Sequence, residues 1–207
     1  GETLYVGVDG GVLAEASGRP GFAERNMGIV TVSVMARHKR VEDVVAALRT
    51  LHSQGVPATL ELVGPWPDAA YRAEIEALVQ STGLAQSVTI TGGVSDAELP
   101  VHYRRARAFC LLSRCESFGI PAVEAQLFGT PCVVSDSSAA PEIAGPGGFV
   151  VADGDVEGAA AALRRLLCDE ATWNERSQAA CENVERFRWS RVSRPLLDYL
   201  DARQARA

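Results

Sequence analysis

The chain has 207 residues, room for one large α/β domain. Hydrophobic residues make up 47% and charged residues 22%, enough for a sizeable core, which excludes a globally disordered chain. A formal net charge of −6 argues against a general nucleic-acid or anionic-membrane surface, so any anion has to be held by a local arrangement.

The chain opens on "GETLYVGVD", an extended stretch with no initiating methionine, and residues 1–20 read as a lead-in from a preceding domain. "IVTVSV" (Ile29–Val34) is a buried strand, followed by a helix with Val41, Val44, Val45, Leu48 and Leu51 on one face. "ATLELVG" is the second strand, and Tyr71, Ile75, Leu78 and Val79 mark the helix after it. "SVTITG" is the third, ending at Gly92–Gly93; Ser95 and Glu98 then form a capping-box pattern, with Pro100 expected to delay the helix start. "ARAFCLLS" is the fourth strand, "PCVVSD" the fifth after a helix over Pro121–Phe128, and "GGFVVAD" the sixth. Val156, Ala160, Leu163 and Leu167 line the next helix. From Glu170 the pattern is helical, broken at "FRWSRV", with a closing helix over residues 188–207 whose arginines are nearly balanced by acids.

Nearly continuous apolar strands alternating with helices imply a parallel sheet covered on both faces. The expectation is one domain: an α/β, Rossmann-like, doubly wound parallel sheet of six strands. Ligands of such folds lie beyond the carboxyl ends of the strands, near the switch in strand order. Those ends are Ser33–Lys39, Gly64–Trp66, Gly92–Ser95, Ser113–Gly119 and Ser135–Ala139. Neither G-x-G-x-x-G after the first strand nor G-x-x-x-x-G-K occurs, which weakens NAD-binding and ATPase readings. The five cysteines form no C-x-x-C pair, and three lie in apolar runs that read as core; this suits reduced thiols in a cytoplasmic protein, without disulfides or a zinc site. His38 and His102 have no metal-ligand partners at useful spacing and read as surface residues.

The stretch "RCESFGIPAVEAQLFGTPCVVSD" (Arg114–Asp136) carries Glu116 and Glu124 on either side of a Gly-Ile-Pro turn. Gly119 permits a sharp turn and Pro121 suits the first helical position, so the amides of Phe118, Gly119 and Ile120 sit at a helix N-terminus at a strand's end. Such an end favours phosphate without any basic residue. Two carboxylates beside it make sense if they accept from hydroxyls, Glu124 from a ribose diol and Glu116 from hydroxyls at the ligand's other end. A sugar nucleotide fits. The plainer alternatives are an acid placed at a helix dipole for Glu116 and a solvated helix face for Glu124.

This stretch resembles the E-x7-E signature of retaining glycosyltransferases of family 4, in the donor-binding C-terminal half of the GT-B fold. "HKRVEDVVAAL", "LELVGPW", "TITGGVSDAELPVHYRRA", "APEIAGPGGFVV" and "FRWSRVSRPLLDYL" resemble, in order, further segments of that half. The resemblance implies that Glu124 binds the nucleotide ribose, that Glu116 contacts the donor sugar, and that Phe118, Gly119 and Ile120 form the donor turn. It implies that Lys39 neutralises the departing diphosphate and that Gly93 and Val94 frame the base. Val34 stands where many members have an arginine, and Arg37 is near enough in sequence to replace it. The implied activity is transfer of a hexosyl unit from a nucleoside diphosphate sugar to a hydroxyl acceptor with retention, by front-face attack. It implies no cofactor and no metal. The acceptor, a glycan, lipid or small molecule, would be held by a missing N-terminal domain, with no nucleic-acid partner, in a cytoplasmic protein that reaches the inner membrane surface only through its other parts. The rival readings are a GT-B nucleotide-sugar epimerase and a non-catalytic nucleotide-binding domain.

Overall fold

The computed structural model describes residues 6–8 and 18–204. Most of the lead-in expected over residues 1–20 lies outside the described residues. Six strands form one all-parallel sheet: β1 (Asn26–Val32), β2 (Thr59–Val63), β3 (Val88–Gly92), β4 (Ala106–Leu111), β5 (Cys132–Ser135) and β6 (Gly148–Val151). Their order is β3-β2-β1-β4-β5-β6. The switch point expected of a doubly wound sheet is therefore the seam between β1 and β4.

Each strand alternates its side chains between two cores. Ile29, Leu60, Leu62, Ala108, Cys110 and Val133 face one, where α1 (Val41–Ser53), α2 (Ala69–Ser81) and α6 (Val156–Cys168) pack. Val30, Val32, Phe109, Leu111 and Val134 face the other, beneath α3 (Leu99–Arg105), α4 (Ile120–Leu127) and α5 (Ala140–Ala144). The helix-face residues Val41, Val44, Val45, Leu48 and Leu51 are all buried, and each carries roughly 1.5–3 kcal/mol of transfer free energy. Asp68 and Asp155 cap α2 and α6 by accepting from the amides of Tyr71 and Gly158. Pro100 does not delay α3: the helix starts at Leu99 with the proline in its first turn, where a missing N–H costs no helical bond. Glu98 Oε2 instead accepts from Ser95 N and Oγ, at 3.0 and 2.7 Å, closing the turn ahead of it.

The first strand starts and ends earlier than its apolar run suggests. Gly28 already pairs with Thr59, and past Val32 the chain bends so that Met35 N reaches Pro65 O at 2.9 Å. Val34 is left 53% exposed. Gly64 permits this close approach: at φ +137°, an added Cβ would lie 1.8 Å from Ser33 O.

At the opposite edge, Arg25 is 3% exposed and donates to the carbonyls of Pro20, Tyr103, Ala106 and Phe128 and to Thr130 Oγ1. Its acceptors are neutral, and burial pushes the guanidinium pKa down to about 10. Of the cysteines, Cys110 and Cys132 are buried, and desolvation raises both thiols. Cys115 and Cys168 are exposed and Cys181 is intermediate, so the expected three core cysteines reduce to two.

The C-terminal stretch runs through α7 (Glu170–Asn183), a 3-10 turn (Val184–Phe187), α8 (Trp189–Val192) and α9 (Arg194–Gln204). Val8 N donates to Phe187 O at 2.9 Å, which lays the entering chain against the closing one. Val192 is buried, whereas Trp189, Leu196, Leu197, Tyr199 and Leu200 are about half exposed. No helix among the described residues is long and apolar enough to cross a membrane.

Candidate functional site

The loops after β1 and β4 meet at the switch point. The chain leaves β1 through a 3-10 turn, Arg37–Lys39, and the amide of Arg114 donates to His38 O at 2.8 Å, tying the two loops together. Across that tie, Lys39 Nζ lies 2.5 Å from Glu116 Oε1. Ser113 Oγ donates to the same oxygen at 2.7 Å, and Ser135 Oγ holds Ser113 by its carbonyl at 2.5 Å. Lys39 and Glu116 are both largely buried, so their attraction is screened less than that of a surface pair. Glu116 Oε2 takes no hydrogen bond from the described residues, which leaves one carboxylate oxygen able to accept from a ligand hydroxyl.

Gly119 takes the left-handed conformation (φ +92°) that turns the chain from Phe118 into α4. The first helical bonds are made by the amides of Ala122 and Val123, both to Gly119 O. The amides of Gly119 and Ile120 therefore precede the helix's own ladder and lie at its positive end. Ile120 is 44% exposed, while Phe118 packs edge-on against Phe187 with ring centroids 5.6 Å apart.

Glu124 lies one turn into α4, half-buried among the buried Val123, Ala125 and Leu127. Tyr103 Oη donates to its Oε2 at 2.8 Å. Desolvation raises the Glu124 pKa above the usual carboxylate value, the Tyr103 hydroxyl pulls it back, and Asp96 adds to the rise. Gly93 and Val94 follow β3 at the same carboxyl edge of the sheet. An added Cβ on Gly93 would meet nothing within 4 Å, and Val94 packs, like Phe118, against the core under α3 and α4.

Arg37 goes elsewhere. Its terminal nitrogens bond both oxygens of Glu74 at 2.8 and 2.7 Å, its Nε reaches Asp68 at 3.2 Å, and its guanidinium lies 5.0 Å from the Tyr71 ring centroid. These contacts turn it onto α2, while Lys39 meets Glu116. His102, expected at the surface, lies 3.1 Å from Glu61 with only 13% of its side chain exposed. Trp66 packs against the core and the Tyr71 ring, at 5.9 Å, rather than lining the site. Asp136 caps the turn after β6, accepting from Asp153 N at 2.9 Å.

Two site residues were not read from the sequence, Ser113 and Tyr103. A tyrosine on the buried face of a helix needs a partner for its hydroxyl, and that need was the available signal. Among the described residues, no three His, Cys, Asp or Glu side chains are grouped to hold a metal ion.

Comparison with known proteins bears on this arrangement. The family model described as glycosyl transferases group 1 matches residues 15–185. The GDP-mannose-dependent alpha-(1-6)-phosphatidylinositol monomannoside mannosyltransferase of Mycobacterium tuberculosis is 31% identical over 182 residues, 83% of this chain and 46% of that protein. The N-acetyl-alpha-D-glucosaminyl L-malate synthase of Bacillus anthracis is 31% identical over 176 residues, 83% of this chain and 44% of that one. The crystal structure of Anabaena HepE in complex with UDP and glucose superposes with a TM-score of 0.81 at 21% identity, covering 97% of this chain and 56% of that one. The chain thus spans about half the length of the relatives it matches.

Proposed function

The chain belongs to the glycosyl transferases group 1 family, and from that premise we propose that it forms the donor-binding half of a glycosyltransferase that moves a hexosyl unit from a nucleoside diphosphate sugar to a hydroxyl acceptor with retention of configuration. The observation that carries the reading is the Lys39–Glu116 pair at the seam of β1 and β4, 2.5 Å apart beside the N-terminus of α4. A nucleoside diphosphate sugar asks for this combination: a cation and a helix N-terminus for the diphosphate, and a carboxylate for hydroxyls.

In this reading, Lys39 and the amides of Phe118, Gly119 and Ile120 stabilise the charge that develops on the departing diphosphate. Glu116 turns its second oxygen to the donor sugar, Glu124 accepts from the ribose diol, and Gly93 and Val94 frame the base. Leaving-group support is assigned to Lys39 and the helix end, without a metal or other cofactor. Arg37 has no part in the clamp, because Glu74 and Asp68 engage it. The mannosyl and N-acetylglucosaminyl names of the relatives differ, so the donor sugar is left open. The acceptor site, and with it the completed cleft, is assigned to a further domain, consistent with relatives about twice as long.

Saturation-transfer NMR with UDP-, GDP- and ADP-sugars tests the reading. Transfer to the nucleotide and sugar protons of at least one of them, abolished by Lys39→Ala together with Glu124→Ala, is the expected result. Absence of binding to all three classes sinks it.

A further inference from the structure

We propose that Tyr103 is a positioning residue of the donor site: its hydroxyl fixes one oxygen of Glu124 so that the other faces the ribose diol as a preset acceptor. The proposal rests on the donor reading of Glu124 and adds to it the residue that orients the carboxylate.

The argument starts with how tightly Tyr103 is held. It comes from α3, the helix that follows the Gly93–Val94 loop, and is 1% exposed. Its ring stacks on Phe128 with centroids 5.9 Å apart and planes 12° from parallel, and meets Phe109 at 6.2 Å. Its carbonyl accepts from Arg25 at 3.1 Å and from Thr130 Oγ1 at 2.8 Å. Ring and backbone are thus both pinned, and the hydroxyl is delivered to one place. That place is Glu124 Oε2, and no described residue donates to Oε1.

A glutamate has three side-chain torsions, and ordering such a chain on binding costs rotamer freedom. A fixed hydroxyl on one oxygen settles the carboxylate plane beforehand, so the ligand need not do so. It also favours the ionised form, which is the better acceptor for a diol, against the burial that opposes it. The titratable groups acting on Glu124 are Tyr103 from α3 and Asp96 from the loop ahead of it; Tyr103 favours the charged form and Asp96 opposes it. The contact also joins the helix that follows the loop expected at the base to the helix expected at the ribose.

The test uses calorimetry with UDP and GDP, and with their 3′-deoxy counterparts, on the unsubstituted chain, Tyr103→Phe and Glu124→Gln. Phenylalanine keeps the ring stack, and thermal melts check that the fold is retained. Tyr103→Phe is expected to weaken the better-bound ribonucleotide about tenfold, to reduce the preference over the 3′-deoxy form, and to add little in the Glu124→Gln background. It is also expected to move the acid limb of the binding profile to higher pH, since the remaining effects on Glu124 all raise its pKa; a purely structural hydroxyl would leave that limb in place. Unchanged discrimination and an unmoved acid limb in Tyr103→Phe overturn the proposal and leave the donor reading standing. If the unsubstituted chain does not prefer the ribonucleotide, or Glu124→Gln does not alter the preference, the ribose role of Glu124 fails and this proposal fails with it.

Discussion

Lys39 and Glu116 are 77 positions apart in the chain, yet their charged atoms lie 2.5 Å apart and both side chains are mostly out of water. The two halves of the sheet are joined at this point by an electrostatic contact as well as by the β1–β4 ladder. A diphosphate arriving here competes with Glu116 for the ammonium, and that competition sets the first expectation.

Glu116→Ala is expected to bind the bare nucleoside diphosphate at least as tightly as the unsubstituted chain, because Lys39 is released, while the nucleotide sugar loses affinity. Lys39→Ala is expected to weaken both by about 1.5–3 kcal/mol, the worth of a hydrogen bond to a charged group. Parallel titrations of the two ligands check this. Equal losses for both ligands in Glu116→Ala would contradict the division of roles.

Glu124 sets function against stability. Its folded-state pKa is raised, chiefly by desolvation, so above that pKa the native state carries a buried charge that the unfolded chain would hold in water. The penalty is present at neutral pH and is relieved as pH falls through the folded and then the unfolded pKa. Glu124→Gln should therefore raise the melting temperature at pH 7, by about 2 °C, while weakening nucleotide binding. The stabilisation should fade as the pH approaches 4, and melts recorded across that range would show whether it does.

Arg37 should matter little to the ligand. It is exposed and engaged by Glu74 and Asp68, so Arg37→Ala is expected to change nucleoside diphosphate affinity by less than about twofold, since exposed ion pairs contribute little. A loss matching that of Lys39→Ala would show that Arg37 leaves α2 to join the diphosphate.

The 207-residue chain is expected to bind nucleotide and to transfer no sugar alone. Leu196, Leu197 and Leu200 of α9 are about half exposed, and joining the chain to the further domain proposed above is expected to reduce labelling there and give activity. Sustained transfer to an added acceptor by the isolated chain, purified free of other transferases, would refute this.

The strands were legible because burial on both faces writes near-continuous apolar runs, and three helices announced themselves by apolar residues three and four apart. Strand ends were less so: Val34 extends the apolar run of β1 but lies past a bend imposed by the loop after β2. The separate site residues could be read from local chemistry, such as an acid before a Gly-Ile-Pro turn. Their partners could not. Arg37 and Lys39 are two positions apart in one polar turn, and only the path of the chain sends one to α2 and the other to the loop after β4.

The sheet separates two cores, and the candidate site does not draw on them equally. Tyr103, Val94, Phe118 and the buried flank of Glu124 belong to the layer under α3 and α4, whereas α1, α2 and α6 pack on the reverse face. Drift in the reverse layer, under Leu48, Leu163 and their neighbours, should register mainly as gains or losses of stability, leaving ligand geometry alone. Replacements at Phe109, Val123 or Phe128 would move the residues that hold the site's carboxylate. The two faces are therefore expected to differ in mutational tolerance: away from the Lys39 turn, the reverse one should accept repacking of equal volume, whereas the other must also keep its alignment. A library meant to stabilise this chain without altering what it binds should be confined to the first.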